Sequence, residues 1–290
     1  MSPERKLWQS QNFITRPDLV EDLLRETNIG ADDLVVEIGP GRGIITEALT
    51  RRARQVIAVE KDELLAQRLL SSSLVKQSNF SLVVGDFLEW PLPSHSYKVF
   101  SNIPFNMTTD IVDKLTTADF PPLDAYLIMQ EAAAHRFIGP PHINETLKSV
   151  LLKIKFEVVI VRAIPSSAFQ PRPRVKVVLT HFHRKDCLPL EANQVQEFRD
   201  FIVYGYTQWQ PTVLAAFQEI FTSAQRRLIA SNQGISELKP TDLTFDQWLH
   251  LFKTYLLHVK QWRRQKVRGS EQRLNKQQKK AEKRHRTRKS

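Results

Sequence analysis

Asn102-Ile103-Pro104-Phe105-Asn106 is the stretch of this chain best suited to chemistry on an aromatic amine. The exocyclic amine of a nucleobase is a poor nucleophile because its lone pair is delocalised into the ring. Two acceptors, the Asn102 side-chain oxygen and an Ile103 carbonyl held outward by the rigid Pro104, would take both amine hydrogens and turn the lone pair out of the ring plane. No general base is needed before transfer to an electrophilic methyl group, because the nitrogen becomes acidic only once it is methylated. Phe105 offers a flat apolar face on which a base can stack. An Asn-x-Pro by itself more often makes a turn. Here it follows the apolar run Tyr97-Lys98-Val99-Phe100-Ser101, and three earlier strand ends also carry polar groups.

The first of these is Leu34-Val35-Val36-Glu37-Ile38-Gly39-Pro40-Gly41-Arg42-Gly43, an apolar run containing one acid that breaks into glycines and resumes at helical spacing from Ile44 to Leu49. That order predicts a buried strand, a turn open to a ligand, and a helix start whose free N–H groups face the same ligand. The spacing Gly39-x-Gly41-x-Gly43 puts Ile44 where the dinucleotide fingerprint wants its third glycine, which argues against hydride transfer. A second run, Val56-Ile57-Ala58-Val59, ends in Glu60, 21 positions beyond Gly39, where a strand-end acid can accept both hydroxyls of a ribose. Ribose without pyrophosphate indicates S-adenosylmethionine. Phe80 to Gly85 is a third run followed by Asp86, an acceptor suited to the amine of a cofactor adenine.

Helical spacing at Leu64, Leu65, Leu69 and Leu70 separates the second and third runs, so the elements alternate βαβαβ. This predicts a parallel sheet whose ligand lies at the carboxyl ends of the strands, where Gly39, Glu60, Asp86 and Asn102 all fall. Further strands are expected over Tyr126–Glu131, over Phe156–Val161 and in a last run ending at His183. Beyond Asp186 only helical patterns remain, over 194–207, 213–220, 224–230 and 244–258, with Thr244 and Gln247 forming a capping box. The stripe Trp248, Leu251, Phe252 and Tyr255 reads as core rather than as a surface for bases. The expected division is therefore an α/β domain over 1–185, a small all-α domain over 186–259 and a basic tail over 260–290.

With 290 residues and 41% hydrophobic content, the chain can fill a real core. Its single cysteine, Cys187, excludes an intramolecular disulfide, and no stretch has signal-segment or membrane-spanning character, so a soluble cytoplasmic protein is expected. The net charge of +11 is concentrated at one end: residues 260–290 carry 14 Lys and Arg against two Glu, leaving the remainder at −1. Charge of one sign on a segment with so few apolar residues predicts a disordered arm that binds a polyanion. His181, His183 and Cys187 fit no four-ligand zinc pattern, so no metal is expected and the histidines are assigned to the surface near the bound polyanion.

The motifs Ser10-Gln11-Asn12-Phe13-Ile14, Glu37 to Gly43, Glu60, Gly85-Asp86 and Asn102 to Val112 together resemble the rRNA adenine N6-methyltransferases. Within them the chain is most similar to the Erm family, which methylates an adenine of 23S ribosomal RNA and confers macrolide, lincosamide and streptogramin B resistance. The small-subunit dimethyltransferases usually read Asn-Leu-Pro-Tyr, whereas Ile103, Phe105 and Thr108-Thr109-Asp110-Ile111-Val112 resemble Erm. The likeness extends over roughly residues 8–185, with a thinner echo at 243–255. It implies a Rossmann-like S-adenosylmethionine methyltransferase domain, with Asn12, Ile14, Gly39, Gly41, Glu60, Asp86 and Asn102 around the cofactor and Asn102 also at the target amine. Phe169 resembles the aromatic that closes on the other face of the target adenine, though a loop aromatic plugging the core is an equal alternative. Arg172 and Arg174 are expected phosphate contacts. The implied partner is 23S rRNA, bound by a monomer with no membrane. Competing readings are a small-subunit rRNA adenine dimethyltransferase, a non-catalytic RNA-binding assembly factor on the same fold, and an N6-adenine DNA methyltransferase. A binding-only protein has no need of Asn102, Pro104 and Phe105 together with the cofactor acids, and a DNA enzyme would usually carry Asp- or Asn-Pro-Pro-Tyr.

Overall fold

The computed structural model describes residues 12–287. Ser10 and Gln11 of the first motif, and the last three residues of the basic tail, lie outside them. The chain divides into two compact units, one of residues 1–135 and 155–186, the other of residues 136–154 and 187–290.

The first unit contains two short strands, β1 (Phe13–Ile14) and β8 (Phe169–Gln170), and seven longer ones. These are β2 (Leu34–Ile38), β3 (Gln55–Glu60), β4 (Phe80–Val84), β5 (Lys98–Asn102), β6 (Asp124–Gln130), β7 (Phe156–Ile164) and β9 (Val177–Arg184). The seven form one sheet in the order β4-β3-β2-β5-β6-β9-β7. Strands β2 to β6 run parallel, while β9 is antiparallel to both β6 and β7. From β2 the chain winds outward through β3 and β4, then returns to lay β5 on the other side. The strand order therefore reverses between β2 and β5, which is where an open α/β sheet leaves a crevice for ligands. Every residue of β2 is buried, as expected of a central strand covered on both faces. A separate two-stranded ladder joins β1 to β8, and sequence periodicity does not reveal such short strands.

Three helices flank the site. Helix α1 (Pro17–Arg25) starts on Pro17 and buries Leu19, Val20, Leu23 and Leu24. Helix α2 (Ile44–Thr50) follows the glycine turn, and α3 (Glu63–Leu70) is capped by Asp62, which accepts from the Leu64 and Leu65 N–H groups. After β5, α4 (Thr108–Thr117) leads to β6. The helix α5 (Glu131–Ile138) begins at Glu131, where a strand end was expected, and α6 (Leu147–Leu152) follows it.

The second unit is helical: α7 (Val195–Thr207), α8 (Val213–Ala216), α9 (Ser223–Gln233), α10 (Phe245–His258), α11 (Gln261–Arg264) and α12 (Ser270–Thr287). Thr244 and Gln247 form the anticipated capping box, and Trp248, Leu251, Phe252 and Tyr255 are fully buried. Phe201 stacks on Phe217 with ring centroids 4.5 Å apart. The division differs from the sequence expectation in two ways. Residues 136–154 belong to this unit, because Val150 and Ile154 are buried in its core. The described part of the basic tail is helical, where its composition predicts a disordered arm. Val267 is fully buried, the half-buried Arg199 pairs with Glu271, and the Asp200 carboxylate accepts from the Gly269 and Glu271 N–H groups at 2.8 and 2.9 Å. Asp200 thus caps α12 from 69 residues away in sequence, which composition does not show. No helix among the described residues is long and apolar enough to cross a membrane.

Candidate active site

Four consecutive sheet positions end at one edge: β4 at Asp86, β3 at Glu60, β2 at Gly39 and β5 at Asn102. Backbone bonds extend the sheet to this rim, from Gly85 N to Glu60 O at 2.8 Å and from Gly39 N to Val59 O at 2.9 Å. The Ser101 hydroxyl, fully buried, donates to Ile38 O at 2.5 Å and ties the ends of β5 and β2 together.

The Glu60 carboxylate is buried and spans the site floor: Oε2 accepts from Gly41 N at 3.1 Å and Oε1 from Asp62 N at 2.9 Å. Each oxygen keeps a second lone pair, the requirement for gripping a diol. Burial raises its proton affinity above the ordinary carboxylate value, and the N–H groups of Asp62 and Gly41 oppose that rise. Asp86 accepts from Leu88 N at 2.8 Å and from Lys61 Nζ at 2.7 Å, and the Lys61 bond holds its carboxyl below the usual range.

Asn102 carries the decisive observation. Its Nδ2 donates to Asn12 O at 2.7 Å, and only the nitrogen of the amide can do so, which fixes the orientation of the group. The Oδ1 is therefore aimed the other way, where it is buried without a hydrogen-bond partner among the described residues. A buried acceptor left unpaired costs roughly 1–3 kcal/mol unless something binds to it. Asn102 itself lines a cleft together with Asn12, Phe13, Gly39 and residues 103–105. Pro104 holds extended backbone (φ −60°, ψ 127°), and half-buried Phe105 supplies an apolar wall.

The structure thus brings together Asn12, Gly39, Gly41, Glu60, Asp86, Asn102, Ile103, Pro104 and Phe105. Ile14, Phe169, Arg172 and Arg174 lie outside the lining of the cleft. Ile14 and Phe169 are cross-strand partners, both buried in the core, so they anchor the β1 segment instead of lining the cleft. For Phe169 this is the core-plugging alternative: pairing with Ile14 turns both side chains to the buried side of the short ladder. Arg172 and Arg174 are exposed and do not line the cleft.

Two site residues carried no assigned role in the sequence. Phe13 lies over the glycine turn, so close that a Cβ on Gly41 would stand 2.8 Å from its ring, and the Arg42 guanidinium sits 5.3 Å from the ring centroid. Gly41 adopts φ +57°, so both its conformation and the space above it exclude a side chain. Phe13 belongs to the first motif, but nothing in its spacing assigned it this contact. Glu37 is buried in the middle of β2, and burial pushes its carboxyl up to about 8, the nearby Thr46 hydroxyl opposing and the Glu60 charge adding to the rise. An acid inside a fully apolar run was the available signal.

The expected cofactor fits these residues: a turn left open at Gly39, where a Cβ would meet nothing within 4 Å, a buried acid at the end of β3, an acceptor at Asp86 and an unpaired acceptor at Asn102. The family model for ribosomal RNA adenine dimethylase matches residues 5–256. An rRNA adenine N-6-methyltransferase from Limosilactobacillus reuteri is 28% identical over 255 residues, covering 88% of this chain and 98% of that protein. A probable ribosomal RNA small subunit methyltransferase A from Methanopyrus kandleri is 35% identical over 174 residues, covering 60% of this chain and 61% of that one. The crystal structure of the 23S rRNA methyltransferase ErmE superposes with a TM-score of 0.76 at 24% identity, over 84% of this chain and 99% of its own. A match that runs from the glycine turn through the catalytic rim and into the helical unit leaves one assignment: the chain belongs to the ribosomal RNA adenine dimethylase family of S-adenosylmethionine-dependent methyltransferases.

Proposed function

We propose that this protein methylates the N6 amine of an adenine in 23S ribosomal RNA, acting as a monomer in the cytoplasm. The observation that carries the chemistry is the buried, unpartnered Oδ1 of Asn102, a residue that lines the cleft. Gly39, Gly41, Glu60 and Asp86 would hold the cofactor, with Asn12 fixing Asn102 between cofactor and substrate. Bound there, S-adenosylmethionine supplies a methyl group on a positively charged sulfur. Asn102 Oδ1 and the Ile103 carbonyl accept the two amine hydrogens, which withdraws the nitrogen lone pair from the ring and aims it. Positioning of this kind acts through orientation and electrostatics and needs no base in the resting site. Phe105 stacks on the flipped base, whose removal from its neighbours is the cost of access. Exposed Arg172 and Arg174, and the basic face of α12, would bind phosphates and set register.

The 23S assignment rests on Ile103, Phe105 and Thr108 to Val112, with the fold shared with ErmE consistent with it. Incubation with labelled methyl donor and, separately, 23S rRNA, 16S rRNA and duplex DNA tests the reading. Label in 23S rRNA alone is expected; label in 16S rRNA alone identifies a small-subunit enzyme, and label in neither RNA overturns the catalytic assignment. Expression in a susceptible bacterium should raise tolerance to macrolides, lincosamides and streptogramin B together, and an active enzyme that protects against none of them has a different RNA target.

A further inference from the structure

The opposite, amino-terminal edge of the same sheet carries a second constellation. Asp124 begins β6, and the antiparallel pairing of β6 with β9 sets it directly across from His183, with Tyr126 across from His181. Alternate residues on one strand share a face, so both imidazoles reach the same carboxylate. His181 Nε2 lies 2.7 Å and His183 Nδ1 2.8 Å from a single oxygen, Asp124 Oδ1. The three donor atoms all lie within 4.8 Å of one another.

We infer that Asp124, His181 and His183 form a zinc(II) site, with solvent completing the coordination. Two imidazoles and one carboxylate match the three protein ligands of an open zinc site, a class distinct from the four-ligand structural pattern that His181, His183 and Cys187 fail to make. The missing ligand is Asp124, which lies 57 residues before His181 and is delivered only by strand pairing. The surroundings support each ligand. Asp124 Oδ2 accepts from Asn28 Nδ2 at 2.9 Å, which leaves Oδ1 as the coordinating atom. Tyr126 stacks on His181 at 4.2 Å and 10°, fixing that ring, while the Tyr126 hydroxyl donates to Asn28 Oδ1 at 3.1 Å. Partners of this kind orient metal ligands. Asp124 is buried, whereas the His183 side chain is 44% exposed and leaves an entry path. Zinc–ligand bonds of about 2.0–2.1 Å at tetrahedral angles separate ligand atoms by about 3.3 Å, so the distances from Asp124 Oδ1 to both imidazole nitrogens must open by roughly 0.5 Å, through small rotations of the carboxylate and of the rings. Both facing nitrogens must present lone pairs, so each ring carries its proton on the other nitrogen. The ion would clamp β6 to β9 and the loop at Asn28, on the far side of the sheet from the catalytic rim.

The test uses the full chain, freed of metal by chelator and titrated with zinc against a chromophoric competitor. One tightly held zinc per chain is expected, with a higher Tm in its presence and, on cobalt(II) substitution, the visible bands of a tetrahedral or five-coordinate ion. His183→Asn, at a half-exposed position, should weaken binding by roughly a hundredfold or more, and His181→Asn/His183→Asn should remove the cobalt bands. Circular dichroism establishes that each variant is folded, and the single variant serves if the double one is not. Equal zinc affinity in wild type and a folded variant places the ion elsewhere and overturns the site. So does a wild-type chain that takes up no zinc at submillimolar concentration.

Discussion

Replacing Glu37 by Gln should stabilise the first unit, by an amount that depends on pH. The side chain is buried within β2, and its carboxyl is pushed up to about 8 against an ordinary value of 4.5. The folded-state value lies above the unfolded one, so the folded chain keeps a proton that the unfolded chain releases. Below about pH 4.5 both states are protonated and the effect vanishes. As pH rises the unfolded state gains, by about 1.4 kcal/mol per unit, until the folded-state group ionises near pH 8. The penalty is thus about 3 kcal/mol at pH 7 and levels off at about 5 kcal/mol by pH 9. Glutamine has the shape of the neutral acid and does not titrate, so it removes the penalty without opening a cavity. Urea denaturation read by hydrogen exchange in peptides covering residues 34–50 isolates the unit that carries Glu37. Wild type and Glu37→Gln should nearly coincide at pH 5 and diverge by several kcal/mol at pH 9. Parallel pH profiles for the two proteins would refute a buried, protonated Glu37.

Other perturbations address the catalytic rim and the RNA surface. Asn102→Ala should lower methyl transfer by roughly 10²–10³ while leaving the melting temperature nearly unchanged, and near-normal turnover by the folded variant would remove Asn102 from the mechanism. Gly41→Ala should cost about 1–2 kcal/mol of backbone strain and push Phe13 off the turn, weakening S-adenosylmethionine binding in calorimetry; Phe13→Ala in the same chain should restore part of the loss, since it clears the contact at 2.8 Å. Truncating the tail at residue 268 would also strip Asp200 of its partners, so charge is better removed in place. Lys276→Gln with Lys279→Gln and Lys280→Gln, all exposed on α12, should reduce the slope of log affinity against log salt by roughly 0.7 for each phosphate of single-stranded RNA that is no longer neutralised, and an unchanged slope would confine RNA binding to other surfaces.

The placement of motifs carried by consecutive residues was legible without coordinates. The glycine turn, Glu60, Asp86 and the Asn102 to Phe105 motif each sit at the end of a strand whose apolar run identifies it, and βαβ alternation alone puts such ends on one edge of a parallel sheet. Capping boxes and the aromatic stripe of α10 are likewise local patterns. Pairing across long separations was not legible. Phe169 could face a base or fill the core, and only its register with Ile14, more than 150 residues away, decided for the core. Residues 260–287 have the composition of a disordered arm, yet Asp200 and Arg199 supply the cap and ion pair that the segment lacks, and Val267 finds a core prepared elsewhere. Residues 136–154 join the helical unit because Val150 and Ile154 fit its interior, a matter of packing that hydrophobicity alone does not assign. The same reason separates the two sites: the catalytic rim is written in motifs, whereas Asp124 meets His181 and His183 only because β9 returns antiparallel beside β6.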